Sequence, residues 1–460
     1  MPCVISSPST DSGKTTLSLL IACWAFSKGI KLQTFKVGPD YLDQQQLSSI
    51  GQPICRNLDI FLSGEKWVED TFLKYSAKYE LTFVEGAMGL FDGLGSTSYS
   101  STANVAKLLH IPIIFIVNAK GQVASLLPLV KGFRNFDKGL LIKGIIFNNV
   151  NSNRHKNLIK EVFEKEDIEI LGFLPSDSKI TLNKSNLGLI PPLDCARKID
   201  VNYFASYAEK NLDLANLSKF LKSPQKKILN TFNSKGFKLD KSIPVAIVED
   251  KIFHFQYPDT REFLNEIGIP LISWSIFNNE EIPKEVSALI IPGGFPEKYA
   301  FHISDSKKSL QSLRRFRKKG FIYAECGGMM ILGDSIKDEN GNSYKMSGIL
   351  PIKFKKSKLS VGYRYVKGIR DSLIIKKNQL TRGHEFHYWE IENPTSEFDL
   401  KKNNFQNRLF QPWEIKSWKT KYKSEGWSDK KLHASWIHLH LPSCPDVAKN
   451  FIEATQINYS

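Results

Sequence analysis

Long hydrophobic runs are scarce in this chain of 460 residues. The longest strongly apolar run covers residues 111–117, whereas a helix that spans a membrane needs about 20 residues. The N-terminal residues also lack a basic segment followed by a long apolar stretch, which is the pattern of a secretory signal. We therefore expect a soluble, cytoplasmic protein with no membrane partner.

Paired cysteines are missing as well. The cysteines are scattered and form no C-x-x-C pair, so the sequence predicts neither a disulfide framework nor a zinc site. A cysteine with a chemical role would act alone, as a thiolate. The cysteines are Cys3, Cys23, Cys55, Cys195, Cys326 and Cys444.

Charge of one sign is in excess, with 63 Lys and Arg against 47 Asp and Glu and a net charge of +16. A basic chain invites a nucleic-acid interpretation, but the basic residues are spread along the sequence without an RNA-binding signature. The simpler explanation of the positive charge is that these residues lie on solvated surfaces. The more specific explanation is that they bind a polyanionic small-molecule substrate. Basic residues at 353–358 and at Arg364, Arg370 and Arg382 would meet such a substrate or cover an ordinary strand edge.

Short apolar runs alternate with helical patterns over the first 190 residues, which predicts a mostly parallel sheet covered on both faces. A polar connector over residues 191–241 precedes a second α/β pattern, which becomes β-rich over residues 350–390. The predicted fold class is α/β, with domains at 1–190 and 242–460. The predicted strands lie at residues 4–7, 34–37, 81–85, 113–117, 144–147, 243–248, 271–274, 288–291 and 321–324.

The first predicted strand is followed by a turn of small residues and then by a helix. The turn carries a Gly-Lys-Thr signature at residues 13–15, although Pro8 stands where the strict pattern has glycine. Such a turn points backbone N–H groups and the positive end of the helix dipole at a phosphate. Lys14 would reach the outer phosphates, and the Thr15 hydroxyl would bind Mg²⁺. The predicted ATP-binding residues are Ser12, Gly13, Lys14, Thr15 and Thr16.

Carboxylates follow two further strands of the same domain. Glu85 ends one apolar strand, and Asp40 and Asp43 come just after another. Ligands of open parallel sheets bind at this edge, and a hard cation prefers oxygen ligands. We therefore expect Thr15, Asp40 and Glu85 to bind Mg²⁺ beside ATP.

One cysteine lies in a pattern that favours a nucleophile. Cys326 follows an apolar strand and precedes Gly327 and Gly328, which permit a sharp turn into a helix. The N-terminus of that helix is expected to lower the pKa of the thiol. A Gly-Gly pair that ends at Gly294 follows another strand and, with Gly327, is expected to offer backbone N–H groups to an oxyanion.

A histidine cluster near the C-terminus supplies a base. His433, His438 and His440 alternate as on a strand, which places His438 and His440 on the same side. A cysteine with a histidine partner performs acyl transfer through a thioester. The predicted catalytic pair is Cys326 and His438.

In this order along the chain, the motifs resemble the cobyrinic acid a,c-diamide synthase family of cobalamin biosynthesis. The resemblance covers nearly the whole chain and is most specific in its Gly-Pro-Asp-Tyr and Arg-Gly-His-Glu-Phe-His segments. It implies a two-domain amidoligase, with an N-terminal domain similar to dethiobiotin synthetase and a C-terminal domain similar to a class I glutamine amidotransferase. The motifs lie at residues 7–16, 36–43, 84–93, 324–328, 382–388 and 433–440.

The resemblance implies that ATP with Mg²⁺ phosphorylates a carboxylate of the corrin ring and that glutamine hydrolysis at Cys326 supplies ammonia. The a and c acetate side chains would then become amides in successive rounds. His438 aligns with the base that activates the cysteine, but His440 stands where the wider class has a glutamate, so the group that orients His438 stays open. The residues assigned to the substrate are Asp40, Tyr41, Leu42 and Asp43.

Two alternatives remain at this point. The same chemistry on hydrogenobyrinic acid or a nickel sirohydrochlorin is the first, because no residue selects the macrocycle or its metal. A P-loop ATPase of the partitioning type is the second, and it explains residues 1–190 but not Cys326 or His438. The sequence does not decide the oligomeric state, for which a homodimer is the expectation, and no nucleic-acid partner is expected.

Overall fold

The computed structural model describes residues 1–182, 199–224, 237, 239, 242–392 and 409–457. The chain forms two compact units, Met1–Thr231 and Phe232–Ser460, and each unit has its own buried hydrophobic core. Within these described residues, no helix is both long and apolar enough to cross a membrane.

The first unit contains a sheet whose described strands all run parallel. Its strands are β1 (Cys3–Ser6), β2 (Leu32–Val37), β3 (Arg56–Leu58), β4 (Leu81–Glu85), β5 (Ile113–Asn118), β6 (Ile142–Asn148) and β7 (Glu169–Leu174). Their order across the sheet is β3-β2-β4-β1-β5-β6-β7. The structure confirms the parallel sheet and its five predicted strands, and it adds β3 and β7.

Helices pack on both faces of this sheet and bury its strands almost completely, as expected for a parallel sheet. One of them, Val201–Asn211, lies within the predicted connector and packs against the helix that begins at Lys14. The predicted domain limits stay predictions, because most of the remaining connector lies outside the described residues. The helices are α1 (Lys14–Ser27), α2 (Tyr41–Ser48), α3 (Ile60–Ser63), α4 (Glu65–Ser76), α5 (Thr102–Leu108), α6 (Leu126–Phe136), α7 (Asn153–Phe163), α8 (Val201–Asn211) and α9 (Leu214–Leu217), with a 3₁₀ turn at Ser218–Phe220.

The second unit contains a mainly parallel sheet and a mainly antiparallel one. The strands of the first are β8 (Val245–Val248), β9 (Leu271–Trp274), β10 (Ala288–Ile291), β11 (Phe321–Glu325), β18 (Trp427–Ser428) and β19 (Leu432–Ser435), in the order β18-β19-β11-β10-β8-β9. The strands of the second are β12 (Ser335–Lys337), β13 (Ser343–Lys345), β14 (Lys353–Gly368), β15 (Leu380–Glu392), β16 (Trp413–Lys416), β17 (Lys423–Glu425) and β20 (Ile437–His438). The long β14 and β15 confirm the predicted β-rich segment.

Helices of the second unit connect and cover its parallel sheet. They are α10 (Pro258–Glu266), α11 (Ala300–Asp305), α12 (Lys307–Phe316), α13 (Gly327–Leu332) and α14 (Pro445–Ile452), with 3₁₀ turns at Pro296–Tyr299 and Leu441–Ser443 and a π-helical turn at Glu453–Ile457.

The order of the strands decides which loops meet in each unit. In the first unit β2, β4 and β1 are neighbours, so the residues after their carboxyl ends share one edge of the sheet. In the second unit β10, β11 and β19 are neighbours in the same way. Ligands of open α/β sheets bind at such edges, and the predicted site residues of each unit follow these strands.

Candidate active site

The turn between β1 and α1 requires the glycine that precedes the helix. Gly13 has a φ of +109°, and a Cβ atom at this position would lie 2.5 Å from Nδ2 of Asn148. That Nδ2 atom donates to the carbonyl oxygen of Ser12 at 3.0 Å. The helix then begins at Lys14, so the strand, turn and helix occur as the sequence indicated.

The lysine of this turn is buried beneath the loop. Its Nζ atom donates to Ser7 Oγ at 2.8 Å, to the carbonyl oxygen of Ser9 at 3.2 Å and to that of Met88 at 2.6 Å. Burial and the nearby Lys36 ammonium lower the pKa of Lys14 to about 8. Lys14 therefore faces a ring of oxygen acceptors beside the loop.

A buried lysine lies among the predicted metal-binding acids. Lys36 Nζ donates to Asp43 Oδ2 at 2.6 Å and to Glu85 Oε1 at 2.7 Å. The Thr15 hydroxyl donates to the same Glu85 oxygen at 2.9 Å. Lys36 and Glu85 are register partners on the neighbouring strands β2 and β4. Sequence reasoning missed the role of Lys36, a lone cation in the buried strand β2.

The charges of this cluster depend on one another. Burial alone would raise the pKa of Asp43, but the charge and hydrogen bond of Lys36, together with hydrogen bonds to Asp40 and Glu85, outweigh burial and lower that pKa. Glu85 is fully buried, and its pKa stays raised because burial outweighs the attraction of Lys36. The neighbouring carboxylates in turn hold the pKa of Lys36 well above its ordinary value, despite its burial. Lys36 is therefore charged and neutralises this pocket.

The segment after β2 forms the start of α2. Asp40 caps the helix, because its Oδ1 atom accepts from the backbone N–H groups of Leu42 and Asp43 at 3.0 Å each. Its other oxygen lies 3.9 Å from Lys36 Nζ. The side chains of Tyr41 and Leu42 are buried. The structure thus brings Asp40 and Asp43 to the cluster of Thr15, Lys36 and Glu85.

Oxygen atoms from a hydroxyl and from carboxylates are the donor set that a hard cation prefers. In the described part of the chain, no group of three or more His, Cys, Asp or Glu side chains has a metal-binding arrangement. Mg²⁺ does not require one, since it binds through one or two carboxylates together with water and substrate phosphates. The residues present therefore fit Mg²⁺ that arrives with a nucleotide.

The predicted nucleophile lies in a sharp turn between β11 and α13. Cys326 has a φ of +48°, a left-handed conformation that is uncommon outside glycine, and its N–H donates to the carbonyl oxygen of Ser435 at 2.6 Å. Its Sγ atom lies 3.5 Å from the carbonyl oxygen of Phe386. The strand, elbow and helix match the sequence prediction.

The predicted fall in the pKa of this thiol is wrong. Burial, followed by the nearby Glu297 carboxylate, raises the pKa of Cys326 well above its ordinary value. The backbone N–H of Gly327 opposes this change, but it is outweighed. The helix after the cysteine, α13, is short, so its dipole does not compensate for removal of the sulfur from water.

The predicted base and the predicted oxyanion segment meet at this turn. A Cβ atom on Gly293 would lie 2.3 Å from Cε1 of His438, so the imidazole packs directly on that glycine. A Cβ atom on Gly327 would lie 3.0 Å from the backbone nitrogen of Gly294. The residues that follow β10, β11 and β19 therefore converge, and Cys326, Gly327, Gly294 and His438 share one site.

The predicted strand alternation does not reach His440. Strand β20 ends at His438, and His440 precedes a 3₁₀ turn. The Nδ1 atom of His440 lies 2.7 Å from Ser443 Oγ, and its Nε2 atom lies 3.7 Å from Asp259 Oδ2. The two histidines thus lie against different neighbours, because the chain turns between them.

Arg364, one of the basic residues predicted to contact the substrate, forms an ion pair inside the second unit. Arg364 is buried, and its Nε atom forms an ion pair with Glu385. The same carboxylate accepts from His387 Nε2 at 2.8 Å and from Ser360 Oγ at 3.0 Å. Arg364 is therefore better explained as a structural residue that fixes β14 against β15.

Comparison with known proteins identifies two domains in this chain. Residues 3–189 match the CobQ/CobB/MinD/ParA nucleotide binding domain, and residues 244–445 match the CobB/CobQ-like glutamine amidotransferase domain. A protein of Synechococcus sp. named cobyrinate a,c-diamide synthase is 34% identical, over 99% of this chain and 98% of its own. The chain belongs to the cobyrinate a,c-diamide synthase family.

Further relatives carry the same name. One from Caldanaerobacter subterraneus subsp. tengcongensis is 33% identical, over 98% of this chain and 97% of its own. The matches confirm the predicted fold class, a P-loop nucleotide-binding domain with a parallel sheet followed by a glutamine amidotransferase domain. A partitioning-type ATPase accounts for only the first of these domains, so that alternative is not favoured.

Proposed function

We propose that this chain is an ATP-dependent, glutamine-hydrolysing ligase that converts the a and c acetate carboxylates of cobyrinic acid into amides, a reaction of cobalamin biosynthesis. The match over nearly the whole chain to relatives named cobyrinate a,c-diamide synthase carries this proposal. The two sites supply the two half-reactions that such an amidation requires.

Glutamine is hydrolysed at Cys326. The sulfur attacks the side-chain amide carbon, and the backbone N–H groups of Gly294 and Gly327 stabilise the oxyanion that forms. His438 takes the thiol proton and returns it to the departing nitrogen. Ammonia leaves, and water then attacks the thioester to release glutamate and restore the thiol.

The substrate carboxylate is activated in the first unit. Its oxygen attacks the γ-phosphorus of ATP, which gives an acyl phosphate and ADP, and ammonia then displaces phosphate to form the amide. Ser12, Gly13, Lys14, Thr15 and Thr16 bind the nucleotide phosphates in this proposal. Phosphate oxygens would replace the Ser9 and Met88 carbonyls as acceptors for the Lys14 ammonium.

Thr15, Asp40 and Glu85 would hold Mg²⁺, and Asp43 offers a further oxygen. The bound ion would neutralise negative charge on the transferred phosphoryl group. Lys36 supplies a fixed positive charge in the same cluster. Asp40, Tyr41, Leu42 and Asp43 form the segment proposed to face the substrate.

The test is incubation of the chain with ATP, Mg²⁺, glutamine and cobyrinic acid, followed by mass spectrometry of the product. We expect two carboxylates to become amides in two resolvable steps. Parallel reactions with hydrogenobyrinic acid and a nickel sirohydrochlorin identify the macrocycle, and faster ATP turnover with either one would overturn the choice of cobyrinic acid.

Location and assembly complete the proposal. The described cysteines are all free thiols, as expected for a protein of a reducing compartment such as the cytoplasm. A homodimer is the proposed assembly, and analytical ultracentrifugation tests it.

A further inference from the structure

The residue before the nucleophile is a buried carboxylate that faces the base. Glu325 ends β11, and its Oε2 atom lies 3.5 Å from Nδ1 of His438. The imidazole is fully buried, and Glu325 is only 8% exposed. An imidazole and a carboxylate interact more strongly in such surroundings than they do in water.

The second oxygen of this carboxylate is fixed by two donors. Glu325 Oε1 accepts from the backbone N–H of Leu439 at 3.0 Å and from the hydroxyl of Tyr323. Leu439 directly follows His438, so Glu325 holds the backbone of the histidine segment while its other oxygen faces the imidazole. Rotation of the carboxylate away from His438 would break both of these hydrogen bonds.

His440, which stands where the wider class has a glutamate, contacts other residues. His440 lies against Asp259, Ser443 and the ring of Tyr257. Asp259 belongs to α10, whereas Glu325 belongs to the strand that carries the nucleophile. The contact between Glu325 and the imidazole of His438 therefore does not involve His440.

We infer that Glu325 is the positioning residue that orients the imidazole of His438 for glutamine hydrolysis, a role that rests on the proposed function. Its carboxylate accepts a hydrogen bond from the Nδ1–H group of His438. The Nε2 atom is then left to exchange a proton with Cys326. It also stabilises the imidazolium that forms when His438 takes the thiol proton. Hydrogen bonds of this kind are often long in a free enzyme and shorten in the substrate complex.

His384 of β15 also faces His438 from a neighbouring strand, with ring centroids 6.4 Å apart. Burial, followed by His438 and Arg364, lowers the pKa of His384 to about 3. His384 is therefore neutral at assay pH. A change in the acidic limb of the pH profile is then not due to His384.

The test compares Glu325→Gln with the unchanged full chain. We expect kcat for glutamine hydrolysis to fall roughly 10²–10³-fold with little change in KM, because the imidazole loses its orienting acceptor. The acidic limb of the kcat/KM profile should move to lower pH, because a negative charge beside the base is lost. The rate of amidation with free ammonia should stay within about threefold of that of the unchanged chain. This activity also shows that the variant is folded.

Asp259→Asn is the matched control, because it removes the carboxylate that faces His440. Its kcat should stay within about threefold of the unchanged chain, with an unmoved pH profile. If Glu325→Gln does not fold, Glu325→Asp gives the same readouts, with a smaller fall in kcat and a retained acidic limb. Unchanged kcat and pH profile in the folded Glu325 variant overturn the inference, as does a large loss confined to Asp259→Asn. Absence of glutamine hydrolysis in the unchanged chain would instead refute the proposed function.

Discussion

The Lys36 cluster allows a stability prediction that does not depend on any substrate. Lys36 is buried, and its ammonium contacts the carboxylates of Asp43 and Glu85. Lys36→Met keeps the length of the side chain but removes its charge. Loss of one partner from a buried ion pair costs about 3–5 kcal/mol, because the remaining charge stays buried without compensation.

The lower end of this range applies, since 25% of the Asp43 side chain is exposed. A domain of 150–250 residues loses roughly 2–4 °C in Tm for each kcal/mol. We therefore expect the unfolding transition of the first unit to fall by roughly 6–12 °C near neutral pH. Differential scanning calorimetry measures this shift. Lys66→Met is the matched control, because Lys66 is 87% exposed in its pair with Asp70, and its Tm should change by less than about 2 °C.

The pH dependence has a definite sign. In the unchanged chain, Lys36 lowers the pKa of Asp43. The ionised Asp43 therefore stabilises the folded state above the ordinary carboxylate pKa, and this stabilisation is lost as the pH falls through the lowered pKa. Without Lys36, burial alone raises the pKa values of Asp43 and Glu85, so the variant loses stability as the pH rises above the ordinary value. The difference in Tm between the unchanged chain and Lys36→Met should therefore widen from about pH 5 to about pH 8. A constant or narrowing difference would refute the argument.

Three further predictions concern activity. Cys326→Ala should abolish synthesis from glutamine but leave synthesis from free ammonia, and failure of ammonia to support it would contradict separate sites. Lys14→Ala should lose synthesis from either nitrogen source while glutamine hydrolysis continues, which a coupled assay for glutamate and ADP measures. Gly293→Ala should lower kcat for glutamine hydrolysis at least about tenfold, because the added Cβ would lie 2.3 Å from the His438 ring. Gly132→Ala, where nothing lies within 4 Å of the added Cβ, should keep full activity in the same assay.

The parallel sheets were predictable because buried strands of such sheets are continuous apolar runs. The prediction failed for β3, a three-residue strand that begins with Arg56, and for β7, which begins at exposed Glu169 and contains Gly172. β3 lacks the apolar pattern on which the prediction depended, whereas β7 is largely apolar but is interrupted by Gly172. Pairing of β3 with β2 at the edge of the sheet, rather than its local sequence, therefore defines it.

The candidate sites were predictable to the extent that each residue follows a strand end. Lys36 was missed because its role depends on the register that places it opposite Glu85, and single-strand patterns do not contain register. Glu325 was missed for the same reason, because its partner His438 lies more than a hundred residues later in the sequence. Contacts between strands distant in sequence require the topology before they can be inferred.

The environment of Cys326 changes where its reactivity must originate. Burial and Glu297 hold the pKa of the thiol well above its ordinary value, so helix α13 does not provide a preformed thiolate. In the proposed reaction the thiol proton leaves as the sulfur attacks, which requires a base that is already aligned. His438 on Gly293, held by the Glu325 and Leu439 contacts, supplies that alignment. In the proposed function, reactivity at Cys326 thus depends on the placement of the imidazole rather than on the acidity of the thiol.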